Sequence, residues 1–84
     1  MSKEKFQELL DQTYQWSDYY EFKFIVKTNE KSQVLTLLPD YTITETPSAK
    51  GNYVSISARK LMKSTQEVLD LYEKVSQIKG VISL

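Results

Sequence analysis

From Tyr20 to Thr28 the chain alternates between two kinds of side chain, and this alternation narrows the fold more than any other feature. Tyr20, Phe22, Phe24 and Val26 fall on one side of an extended strand, and Glu21, Lys23, Ile25 and Lys27 on the other. Aromatic and β-branched residues fit a pleated surface. One side therefore demands a core, and the other is left for water or a partner. The stretch from Tyr53 to Met62 repeats the pattern, with Val54, Ile56 and Ala58 facing one way and Tyr53, Ser55, Ser57 and Arg59 the other. Lys60, Leu61 and Met62 break that parity, so the second strand is expected to end or bulge near residue 60.

Helical signals lie between and after these strands. Val34, Leu35, Leu37 and Leu38 make the apolar side of a short helix, expected to be capped by Thr28 or Asn29 and ended by Pro39. Two or three turns are marginal alone and need packing to persist. Ser64 and Glu67 have the spacing of a capping box. After them Val68, Leu71, Val75 and Ile78 recur at helical spacing, widened by Leu69 and Tyr72. Lys79 and Gly80 suit the end of that helix, and Val81 to Leu84 reads as a final strand. Thr42 to Thr46, anchored by Ile43, is a further strand. The segment from Pro47 to Asn52 is a turn, because Gly51 and Asn52 tolerate positive φ at little cost. At the start, Phe6, Leu9 and Leu10 lie on one side of a short helix over residues 3–12, followed by a connector rich in aromatics (Tyr14, Trp16 and Tyr19).

The order after the extension is β-α-β-β-α-β. Four strands that each bury one face, with two amphipathic helices, fit a two-layer α+β sandwich with a four-stranded antiparallel sheet. This is the ferredoxin-like arrangement, with the first and third strands central. The chain divides into residues 1–19, a helix and connector, and 20–84, the ferredoxin-like domain. A hairpin domain lacking the first short helix is the main structural rival.

Composition removes several classes of function. Lys plus Arg and Asp plus Glu both number 11, so the chain carries no net charge and no broad positive field for nucleic acid. There is no Cys and no His, which removes disulfides, thiol nucleophiles, zinc–thiolate sites and the commonest general base. Carboxylates are scattered singly without calcium-loop spacing. No cofactor, no metal and no enzymatic activity are expected. No apolar run reaches the length of about 18 residues that spans a membrane, and the polar start lacks a signal-peptide pattern, so the expected compartment is the cytoplasm.

Certain residues resemble a known family. Pro47-Ser48-Ala49-Lys50-Gly51-Asn52-Tyr53, entering a strand with Ser55 and Ser57, resembles the Pro-Ser-x-Lys-Gly-Asn-Tyr turn of the YbeD-like family of bacterial proteins. Glu21 to Val26 is similar to that family's first strand, and Leu71-Tyr72-Glu73 with Ile78 and Val81 to its last helix and closing strand. The likeness covers roughly residues 20–84 and leaves out the N-terminal extension, and the segment from Thr28 to Pro39 is shorter than in some members. It implies a fold similar to ACT-type regulatory domains, which bind amino acids or other small effectors, often at subunit interfaces. The family supplies no catalytic residues.

The candidate working surface is the uncovered sheet face with the adjoining turn: Lys23, Ile25, Lys27, Lys50, Gly51, Asn52, Tyr53, Ser55, Ser57 and Arg59. On the two central strands three basic groups stand against one acid, Glu21. Antiparallel sheets often wet one side, so a merely solvated face is the plain alternative. Two functional readings follow. The first is a regulatory or interaction module that binds a protein partner or small effector, or pairs as a homodimer. The second is weak single-stranded nucleic-acid binding through Lys23, Lys27, Arg59 and Tyr53. It is disfavoured because base-stacking sheets use two or three aromatics, and here only Tyr53 is expected in such a position. Lys50-Gly51-Asn52 offers an anion nest or simply a hairpin turn. Tyr14, Trp16, Tyr19 and Tyr20 either line a pocket or pack at the domain edge.

Overall fold

The computed structural model describes residues 3–84; Met1 and Ser2, part of the polar start, lie outside the described residues. Helix α1 (Lys3–Thr13) leads into β1 (Asp18–Lys27), a 3-10 turn (Thr28–Glu30) and α2 (Lys31–Thr36). Strands β2 (Thr42–Pro47) and β3 (Tyr53–Met62) form a hairpin, followed by α3 (Thr65–Ser76) and β4 (Ile82–Ser83). The strands make one antiparallel sheet in the order β2-β3-β1-β4, so β1 and β3 are central. The fold is α+β with a βαββαβ order, as the ferredoxin-like arrangement requires.

The core lies where the alternation places it. Phe22, Phe24 and Val26 of β1 stand opposite Ala58, Ile56 and Val54 of β3, and all six are buried. Val34 and Leu38 cover them from α2 and the residues after it, and Val68, Leu69, Leu71 and Val75 from α3. Removing the Phe and Ile side chains from water supplies roughly 1.5–3 kcal/mol each, which holds a six-residue helix that would melt alone.

Several local expectations need correction. β3 neither ends nor bulges at residue 60: its register against β1 runs unbroken from Lys27↔Tyr53 to Asp18↔Met62. Lys60 takes a core-side position, half-buried, with its Nζ 5.0 Å from the Tyr41 ring centroid, so its charge need not be fully buried. Met62, fully buried, completes the inward row, and Leu61 turns outward. β1 begins at Asp18, two residues before the expected start, which draws Tyr19 out of the connector and into the sheet.

Neither Thr28 nor Asn29 caps α2. No side-chain cap is present, and the Thr28 hydroxyl donates to the Gly51 carbonyl instead (2.6 Å). The capping box of α3 is half made. Ser64 accepts from the Glu67 N–H (3.2 Å), but the Glu67 carboxylate reaches the Lys63 N–H, one residue before the cap. α3 ends at Ser76, short of Lys79, and Gly80 at φ 83° makes the bend into a two-residue β4.

α1 packs on α3 rather than on the sheet. Leu10 is buried, Phe6 meets the Tyr72 ring edge-on at 5.8 Å, and the Thr65 hydroxyl donates to Asp11 (2.5 Å). The Trp16 indole N–H in turn donates to Thr65 (2.8 Å), and Tyr14 stacks flat on Trp16 at 5.0 Å. Tyr14, Trp16 and Tyr20 thus belong to an aromatic cluster centred on Phe22 and Tyr72, the packing role rather than the pocket-lining one.

Candidate functional site

Both helices that face the sheet cover the same side, and the opposite side is bare. The register fixes what stands there. Reading across β2, β3, β1 and β4, Thr46, Ser55, Ile25 and Ile82 form one row, and Thr44, Ser57 and Lys23 the next. Leu84 extends that second row, since its N–H donates to the Lys23 carbonyl (2.9 Å). Thr42, Arg59 and Glu21 make a third row, and Leu61 with Tyr19 a fourth. At the other end Lys27 faces Tyr53. Lys23 and Arg59 therefore share one face, and Ser55 and Ser57 lie beside them, half-buried between neighbouring strands.

The face has three textures. A hydroxyl field spans β2 and β3. A cationic line follows the central strands, partly offset by Glu21, whose carboxylate lies 3.7 Å from Lys23 Nζ. The third texture is apolar. Among the described residues the large apolar side chains left exposed are Leu9, Tyr19, Tyr53, Leu61, Ile82 and Leu84, and all but Leu9 sit on this face. Single exposed apolar residues are ordinary, but their concentration on one surface is not. Arg59 extends over Tyr19 with its guanidinium carbon 4.1 Å from the ring centroid, so the cation is held at a fixed place.

The turn residues occupy one end of this surface. Gly51 adopts φ 75°, and its N–H donates to the Ser48 carbonyl (3.0 Å). Ser48 and Tyr53 close the loop, the Ser48 N–H donating to the Tyr53 carbonyl (2.8 Å) and the Ser48 hydroxyl accepting from the Tyr53 N–H (3.2 Å). The Gly51 and Asn52 carbonyls both accept from Thr28, so the turn is pinned to the end of β1. With the Gly51 N–H committed and carbonyls presented to Thr28, the segment is a hairpin turn and not an anion nest. Lys27, Thr28, Asn29, Gly51, Asn52 and Tyr53 surround an open cleft of about 450 Å³. Lys50 is exposed and stands outside it.

Of the ten residues singled out from sequence, Lys23, Ile25, Lys27, Tyr53, Ser55, Ser57 and Arg59 fall on this face, Gly51 and Asn52 line the cleft at its end, and Lys50 stands apart from both. Tyr19, Leu61, Ile82, Leu84 and the β2 threonines complete the face and were not foreseen. Parity carried two residues past Arg59 and two before Glu21 finds Leu61 and Tyr19; only the sheet order reveals Ile82. Among the described residues no group of three or more Asp or Glu side chains is placed to hold a metal ion. No helix among them is long and apolar enough to cross a membrane.

Fold and surface together define a ferredoxin-like α+β protein with one helix-covered and one bare sheet face. Comparison with known proteins places it further. Residues 19–84 match the family described as Protein of unknown function (DUF493), and the chain belongs to that family. A UPF0250 protein of Idiomarina loihiensis is 33% identical over 88 residues, covering 96% of this chain and 96% of its own length. The family match begins at β1, whereas the likeness to this relative reaches into α1. Neither description names an enzyme activity. No solved structure matches the chain.

Proposed function

We propose that this chain is a non-enzymatic, ACT-like regulatory or interaction module whose working surface is the open sheet face. One observation carries the reading: among the described residues the exposed large apolar side chains, all but Leu9, are gathered on that face, around a cationic line whose Arg59 lies over Tyr19. A surface serving only solvation would carry them scattered. The absence of Cys and His, and carboxylates that stand apart, favour binding without chemistry. A protein partner fits the breadth of the face, and a small effector fits the cleft between Lys27 and Asn52.

Affinity capture tests the partner version, comparing the native chain with Ser57→Arg on the sheet face and Asp70→Lys on the helical side. Partners lost with the first variant and kept with the second support it; the reverse pattern sinks it. A thermal-shift screen with amino acids and nucleotides tests the effector version, which is abandoned if none shifts the melting transition.

A second reading, weak single-stranded nucleic-acid binding, gains from one finding. Tyr19 joins Tyr53 as an exposed aromatic on the face. The two are eight strand positions apart by register, about 27 Å at strand rise, too far to stack neighbouring bases. Filter binding across a salt series decides it, since phosphate binding weakens steeply with salt.

A further inference from the structure

Charge on this neutral protein is sorted between its two sides. The open face carries Lys23, Lys27 and Arg59 against Glu21 alone. Helices α1 and α3, on the far side, carry Glu4, Glu8, Asp11, Glu67, Asp70 and Glu73 against Lys5 and Lys74 among the described side chains. β2 adds only neutral hydroxyls to the sheet face, because its one carboxylate, Glu45, points to the other side and is held by Lys31 at 2.8 Å. The bare surface is therefore cationic along its middle, with Tyr19 and Leu61 at one end of that line, Tyr53 at the other, and Ile25 with Ile82 between Lys23 and Lys27.

From this we infer that the occupant of the open face is an acidic polypeptide segment of a partner protein, one that also carries aromatic or aliphatic anchors. This rests on the reading of the face as the working surface and adds the chemistry of what it binds. Two copies meeting face to face would oppose like charges, which costs rather than stabilises. Nucleic acid would satisfy the cations but leave Ile25, Leu61, Ile82 and Leu84 against a phosphate backbone. An acidic segment with apolar side chains satisfies both textures at once. Its length along the central strands, from Tyr53 to Tyr19, is about 27 Å, or eight residues of extended chain.

The test uses the full chain, isotopically labelled, followed by amide chemical shifts. The probes are a glutamate–tyrosine copolymer, polyglutamate and an oligothymidylate, each at low and at physiological ionic strength. The copolymer is expected to move amides of Lys23, Ser57, Arg59 and Leu61, to bind more tightly than polyglutamate, and to weaken with salt. Lys23→Glu combined with Arg59→Glu should weaken it at least about tenfold, and Leu61→Ser should remove the advantage of copolymer over polyglutamate. Both variants alter exposed positions, and their spectra report whether they remain folded. Tighter binding of oligothymidylate on the same amides overturns the acidic occupant while leaving the working surface standing. Copolymer shifts confined to α1 and α3 overturn both. A dimer in light scattering that Arg59→Glu dissolves makes the occupant a second copy and overturns the inference, as does no binding of the copolymer at low salt.

Discussion

Arg59 lays its guanidinium over the ring of Tyr19, 4.1 Å from the centroid, across the seam between the two central strands. Glu21 stands directly opposite Arg59 in the same ladder, so the cation is framed by an aromatic face and a carboxylate. Long cations usually lose conformational freedom when they bind. Here part of that cost is already met in the free protein, which favours a binding role for Arg59 over simple solvation.

Replacing Arg59 by Ala should therefore separate stability from binding. Loss of an exposed cation–π contact costs about 0.5–1 kcal/mol, seen as a small fall in the urea midpoint with unchanged slope. Binding to any partner of the face should fall far more. A variant that binds as before shows that Arg59 only shields Tyr19.

Tyr72 gives the clearest pH dependence. Its hydroxyl and that of Tyr20 are 2.8 Å apart, and burial together with this hydrogen bond holds the Tyr72 phenol well above its ordinary value of 10.0. Tyr41 is shifted the same way, by burial and then by the nearby Glu67 carboxylate. A phenol that ionises more readily in the unfolded chain contributes its full stability below that ordinary value and loses it as pH rises beyond. Native protein should thus weaken steeply above pH 10. Tyr72→Phe should flatten part of that fall while costing about 1 kcal/mol at neutral pH, since Tyr20 loses its partner. Urea midpoints at neutral and alkaline pH check both, and an unchanged alkaline slope counts against the assignment.

The fold was legible because its strongest signals are non-negotiable. Phe22, Phe24 and Val26 cannot face water together, and once they turn inward Lys23 and Lys27 must turn outward. Ala58 and Ile56 repeat the constraint on the neighbouring strand. The site was legible only along those two strands. Leu61 was hidden because Lys60 looks like an outward residue; that its ammonium could lie inward over Tyr41 depends on a ring 19 positions away in sequence. Ile82 was hidden because two residues of strand carry no periodicity, and only pairing with Ile25 gives them a face. Thr28 misled as a cap because its hydroxyl had a better acceptor in Gly51, a tertiary contact that no local rule contains.

Gly51 makes that contact depend on backbone geometry. At φ 75° with nothing within 4 Å of an added Cβ, substitution meets strain rather than collision. Gly51→Ala should cost about 1–2 kcal/mol, and Gly51→Asn noticeably less, since Asn tolerates the left-handed region. Amide exchange at Thr28 and Tyr53 should quicken in the Ala variant, because both N–H groups are satisfied through this turn. Equal stability of the two variants would mean that the turn relaxes to another conformation.

A single hydroxyl joins the packing of Phe6 and Leu10 in attaching α1. Thr65, buried at the start of α3, accepts from the Trp16 indole and donates to Asp11, so one side chain ties both the helix and the connector to the body. Thr65→Val keeps the shape and removes both bonds. The indole N–H is then half-buried without a partner, at a cost of about 1–3 kcal/mol, whereas Asp11 can turn to water. Thr65→Ser retains the hydroxyl and should lose less. Trp16 is the chain's single tryptophan, so its emission reports on this contact directly. It should shift to the red in the Val variant and hold in the Ser variant. Sheet-face amides of Ser55 and Ser57 should not move, because α1 touches the helical layer and not the open face. A Val variant with native emission and native stability would show that Phe6 and Leu10 alone hold α1 in place.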